Sequence, residues 1–146
     1  GVAAHTQLKF NASYVLPGDV QLSGTFLNMP GAELRVRWSA PNSAIAPSLG
    51  RNLSSCAAAT GACSSRRTID LIERNTVFED RLTRVDIRVA KTIQVGRIRL
   101  QPRLDLYNLF NANSILSVNT RFGSALHRPN SVLAARFIKV GIDVRF

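Results

Sequence analysis

Ile98-Arg99-Leu100-Gln101-Pro102-Arg103-Leu104-Asp105-Leu106-Tyr107 changes between apolar and polar side chains at almost every step. A period of two puts Ile98, Leu100, Pro102, Leu104 and Leu106 on one face of an extended strand and Arg99, Gln101, Arg103, Asp105 and Tyr107 on the other. Pro102 removes one ladder donor and fits poorly inside a central strand. The pattern recurs just upstream, where Val85, Ile87 and Val89 oppose Arg84, Asp86 and Arg88, with a turn expected over Thr92 to Gly96. It recurs at the end, where Ile138, Val140, Ile142, Val144 and Phe146 oppose Phe137, Lys139, Gly141, Asp143 and Arg145.

The N-terminal part follows the same rule. Leu8, Phe10, Ala12, Tyr14 and Leu16 share a face, Pro17-Gly18-Asp19 supplies a tight reversal, and Val20, Leu22, Gly24 and Phe26 share the next. After Pro30-Gly31, which reads as a hairpin or as a bulge in one long strand, Leu34, Val36 and Trp38 oppose Glu33, Arg35 and Arg37. Residues Ser39 to about Arg67 are rich in Ser, Asn, Ala, Gly and Pro and read as a long loop. Thr68 to Leu82 carries no clear period.

Of 146 residues, 45% are hydrophobic and the formal net charge is +10, with Arg far outnumbering Lys9, Lys91 and Lys139. No apolar run approaches the roughly 18 residues of a spanning helix. The basic balance suits an anionic partner, yet no zinc-finger or helix-turn-helix spacing supports nucleic acid. Cys56 and Cys63, an even count closely spaced in loop context, favour a disulfide over two free thiols and hence an oxidising compartment. The chain opens at Gly1 without a basic and apolar leader, so a mature chain or a fragment is expected.

Strand length selects among the all-β classes. Most of these ribbons reach about nine residues, the span of a tilted transmembrane strand, whereas strands of soluble domains run to about five or six. The expectation is therefore an all-β, antiparallel transmembrane β-barrel in the bacterial outer membrane. Residues 1–146 would form its C-terminal portion, with long extracellular loops at about 39–82 and 110–131. The chain supplies about five long strands where the smallest common barrels need about eight, so the remainder of a larger barrel is expected elsewhere. A small barrel built wholly from this chain is the lesser alternative. In such a wall Arg35, Arg37, Arg84, Asp86, Arg88, Arg99, Arg103, Asp105, Lys139, Asp143 and Arg145 would face the lumen, because turning charge toward acyl chains costs roughly 2 to 4 kcal/mol per residue near the midplane.

These residues carry a resemblance. The closing ladder Ile138, Val140, Ile142, Val144 and Phe146 resembles the terminal signal read by barrel assembly machinery, and Asp105-Leu106-Tyr107-Asn108-Leu109-Phe110-Asn111 is similar to a segment of TonB-dependent receptors. Together with Arg128-Pro129-Asn130-Ser131 they resemble the C-terminal end of TonB-dependent, carboxypeptidase-regulatory-like receptors of soil bacteria. That resemblance implies a barrel of about 22 strands closed by a plug. Its partners would be the rest of the barrel and plug, outer-membrane lipid, the assembly machinery and, through an N-terminal part, TonB. The implied role is a structural wall in import of a nutrient. A non-transporting barrel segment with an adhesive or assembly role is the alternative, and a soluble all-β binding domain of sandwiched strands is a further one.

Enzyme chemistry has little footing, and no cofactor or metal is expected. His5 and His127 lie in no metal-ligand spacing. Ser54, Ser55, Ser64 and Ser65 flank the cysteines without a Gly-x-Ser-x-Gly elbow. Asp70, Glu73, Glu79 and Asp80 lack a glycine-centred calcium-loop pattern, so ion pairs with Arg66, Arg67, Arg74 and Arg81 are the plainer account.

Overall fold

The computed structural model describes residues 5–146, and the expectation attached to Gly1 lies outside them. In chain order the elements are β1 (Leu8–Leu16), β2 (Val20–Met29), β3 (Arg37–Pro41), α1 (Asn42–Leu49), β4 (Arg66–Asp70), β5 (Leu82–Lys91), β6 (Ile93–Val95), β7 (Ile98–Tyr107), β8 (Ile115–Val118), β9 (Pro129–Val132) and β10 (Phe137–Arg145). They fall into two compact units. One comprises the residues up to Ala32 with Glu79–Leu116 and Ser131–Phe146, the other Glu33–Phe78 with Ser117–Asn130.

The first unit is a single antiparallel sheet in the order β1-β2-β5-β7-β10, with β6 also paired to β7. Register follows the period-two pattern. Ala12 lies opposite Gly24, Gly24 opposite Ile87, Ile87 opposite Leu106 and Leu106 opposite Ile138, so one row of small and apolar residues crosses five strands. Short connections fix this register. Leu16 and Val20 pair across a loop whose Gly18 and Asp19 hold positive φ, and Val95 and Ile98 pair across Gly96-Arg97. The stretch expected as a turn from Thr92 to Gly96 thus holds β6, and only its last residue turns.

Where a barrel would close, this sheet stays open. β1 and β10 are its two ends, and among the described residues neither pairs with the other or with a further strand. The alternation correctly sorts residues into two faces, but closure depends on pairing between first and last strands, which a period of two does not encode. β1, β2, β5, β7 and β10 are nine or ten residues long, and that length alone does not distinguish an open sheet from a barrel wall. The transmembrane-barrel fold, the outer-membrane location and the role as a transporter or adhesin wall are corrected accordingly. So are the partners that depended on a barrel: its remainder and plug, membrane lipid, assembly machinery and TonB. What stands is an open, mostly antiparallel β structure. Among the described residues no helix is long and apolar enough to cross a membrane.

At Gly31 the chain leaves β2 beside the segment that enters β5. A Cβ there would fall within 3.0 Å of the Glu79 and Asp80 carbonyls, so only glycine fits. Asn108 ends β7 with a positive φ of 52°. Its side-chain Nδ2 donates to the Ala112 and Ala134 carbonyls at 2.8 Å each, and its Oδ1 accepts the Ala112 N–H at 2.8 Å. Asn111 Oδ1 takes the Arg136 N–H at 2.9 Å. The Asn108–Asn111 segment therefore acts architecturally, anchoring the chain on its way to β10.

In the second unit β3 pairs with β4, Ser39 lying opposite Thr68. The stretch read as loop contains α1, which starts after Pro41 and stops at Gly50, where φ is 67°. Two buried asparagines organise the loop beyond this helix. Asn42 Nδ2 donates to Asn52 Oδ1 at 2.8 Å, Asn42 Oδ1 accepts the Leu53 N–H at 2.9 Å, and Asn52 Nδ2 donates to the Ala58 and Gly61 carbonyls at 3.1 Å each. Cys56 and Cys63 are joined by a disulfide that closes this loop. Along the chain, β8 and β9 form a further two-stranded ribbon.

Candidate interaction surface

The open sheet presents two chemically distinct faces. On the first, the rows Phe10–Phe26–Val85 and Tyr14–Leu22–Val89–Leu104–Val140 flank the row through Ala12 and Ile138. No charged side chain interrupts these three rows. Polar groups appear only toward the ends of the strands, at Lys91 opposite Val20 and at Asn28, whose Nδ2 donates to Thr83 Oγ1 at 2.7 Å. The face is uncovered within the unit: Phe10 is 61% exposed, Tyr14 68%, Ile138 61% and Val140 76%. Very little of the chain is buried at all, with Val36, Ala40, Leu82, Ala90 and Val118 the only hydrophobic core positions among the described residues.

The second face carries the charges. Arg88 Nε and Nη2 both reach the carboxylate of Asp105, its register partner. Arg103 Nη1 donates to Asp143. Arg84 grips Asp86 two residues along the same strand, with Nη2 2.5 Å from Oδ2, while the Asn108 N–H donates to Asp86 Oδ1 at 2.9 Å. Gly141 is where Arg103 lies across β10, since a Cβ there would sit 3.1 Å from Arg103 Nε. Tyr107 stacks on Phe137 with ring centroids 4.5 Å apart. A concavity of about 270 Å³ opens between Ser23, Thr25, Asp86, Arg88, Asp105 and Tyr107.

These pairings set the carboxylates' acidity. The guanidinium of Arg88 holds Asp105 below the ordinary carboxylate range against an opposing desolvation. Asp105 is only 2% exposed, and the Arg88 hydrogen bond outweighs its desolvation, with the charges of Arg88, Arg103 and Lys139 acting in the same direction. For Asp86 burial is the largest single influence and pulls upward, but Arg84 and the Asn108 N–H together carry it downward. In the second unit Glu33 is lowered by the Asn75 N–H and by Arg35.

Of the residues singled out as lumen-facing, Arg84, Asp86, Arg88, Arg99, Arg103, Asp105, Lys139, Asp143 and Arg145 share this charged face, which belongs to an open sheet among the described residues. Arg35 and Arg37 belong to the other unit, one paired with Glu33 and the other bonded to Thr120 Oγ1. Ile138, Val140, Ile142 and Val144 occupy the exposed apolar face of the end strand β10. Asp70 pairs with Arg74, and among the described residues no three His, Cys, Asp or Glu side chains gather as a metal site would require. His127 holds a positive φ of 59° with Nε2 buried. Asn42, Asn52 and Asn108 were invisible as structural centres, because an asparagine in a polar stretch looks the same whether it is solvated or buried.

Comparison with known protein families, curated proteins and solved structures gives no match, so the likeness to TonB-dependent receptors finds no support there.

Proposed function

We propose that this chain is a non-catalytic self-association module whose apolar sheet face is covered by the same face of a second copy. The observation that carries the proposal is the uncharged, uncovered set of rows spanning β1, β2, β5, β7 and β10. Leu8, Phe10, Tyr14, Leu16, Leu22, Leu104, Ile138, Val140, Ile142 and Val144 keep between 39% and 76% exposure. At about 60 to 100 Å² per side chain, two such faces would bury on the order of 1,200 to 2,000 Å², the size of a specific protein–protein interface. A contiguous apolar area of that size is not left to water. A two-fold axis would bring identical patches together as an aligned sandwich with the sheets about 10 Å apart. The charged faces of the two sheets, with the Arg88–Asp105 and Arg103–Asp143 pairs, would then both point outward, away from the seam.

Sedimentation in detergent-free buffer tests this. The expected species is a dimer that Val140→Arg converts to monomer, while Arg99→Gln on the opposite face leaves it intact. A persistent monomer, or a monomer that enters phosphatidylcholine vesicles through this face, overturns the proposal.

A further inference from the structure

In the second unit a one-residue parallel bridge sets Arg121 beside Arg37. The Arg37 N–H donates to the Thr120 carbonyl at 2.8 Å and the Phe122 N–H donates to the Arg37 carbonyl at 2.9 Å, so the two arginines are lateral neighbours on adjacent extended segments. Like charges so placed repel unless something negative lies between them. Arg37 Nε and Nη2 are held by Thr120 Oγ1 at 3.1 and 2.7 Å, which orients the guanidinium without neutralising it. On the same face of the β3–β4 ladder, Ser39 and Thr68 stand directly opposite one another. Arg37, Ser39, Thr68, Arg121 and Phe122 line one concavity of about 410 Å³. Asp70, the carboxylate that the ladder register sets directly opposite Arg37, accepts from Arg74 Nε at 2.9 Å and, among the described residues, makes no ion pair with Arg37.

We infer that this concavity binds a phosphate monoester. Two guanidinium groups match a doubly charged tetrahedral oxyanion, and the two hydroxyls supply neutral donors to its remaining oxygens. Phe122, 59% exposed at the rim, offers its ring to the organic group that the phosphate carries. The site lies wholly within the second unit and does not depend on association of the sheet.

Titration of the full chain with phenyl phosphate, followed by amide NMR, tests the assignment. The expected result is saturable shifts centred on residues 37, 68 and 121, weakened about tenfold or more by Arg121→Gln, since a charge-assisted hydrogen bond is lost. Phe122→Ala should weaken phenyl phosphate but not inorganic phosphate. Arg99→Gln, in the other unit, should change neither. Equal binding of phenyl sulfate, which carries one charge, overturns the dianion assignment. Non-saturating shifts, or equal weakening by Arg99→Gln and Arg121→Gln, overturn the site itself. Retention of the unperturbed amide spectrum around Asn42 and Asn52 establishes that a variant is folded.

Discussion

Arg88 and Asp105 face each other across β5 and β7, the guanidinium of one closing over the carboxylate of the other until Asp105 retains 2% exposure. The contact ties the two halves of the sheet together at the point where β5 and β7 share four register pairs.

Acid should loosen this sheet through Asp105. Its folded pKa lies below the ordinary aspartate value of 3.8, so it binds fewer protons folded than unfolded, and its contribution is complete above that unfolded value. The contribution is lost as pH falls below 3.8 and through the lowered folded value. Denaturation midpoints measured from pH 7 to pH 2 should show a falling acid limb that Asp105→Asn makes shallower. An unchanged limb in that variant would exclude Asp105 as its source.

Asn108→Ala removes three side-chain hydrogen bonds at a buried site and leaves alanine at positive φ. The expected loss is about 2 to 4 kcal/mol in urea denaturation at fixed protein concentration. Asn108→Gly keeps the backbone geometry and should lose less.

Gly31 and Gly24 make a matched pair. Alanine at Gly31 collides with the Glu79 and Asp80 carbonyls, whereas at Gly24 the nearest atom is the Asp86 carbonyl oxygen at 3.9 Å. Gly31→Ala should cost about 1 to 3 kcal/mol, and Gly24→Ala should stay within about 0.5 kcal/mol. Thermal melts of the two variants side by side distinguish them.

Reduction of Cys56–Cys63 frees a short loop and should destabilise its surroundings by about 2 kcal/mol on chain-entropy grounds. Hydrogen exchange should quicken at residues 52–65 on adding reductant, while the amides of β2 and β5 keep their protection.

Much of the sheet was legible in the residues. Val85, Ile87 and Val89 against Arg84, Asp86 and Arg88 fixed a strand and both its faces, and Arg88 met Asp105 as alternating charge on neighbouring strands allows. Pro17-Gly18-Asp19 marked its reversal correctly. The barrel was not there to be read, since the expectation rested on strand length and a terminal Phe, and neither specifies what the end strands pair with. The helix α1 escaped because it contains Pro47, lacks a side-chain N-cap and spans only eight residues. The site around Arg37 and Arg121 escaped for another reason: residues 84 positions apart meet through a single bridge that no local pattern announces.

The outer rim of β1 is an unguarded sheet edge. From Leu8 to Leu16 every other backbone amide and carbonyl points away from β2 with no strand beyond it among the described residues, and Lys9 is the sole charge on the strand. Natural sheets blunt such rims with prolines, bulges or several lysines, and this one carries none of the three in quantity. At high concentration the rim is a template on which further extended chains stack, so fibril formation reported by thioflavin fluorescence should start here and be suppressed by Asn11→Pro.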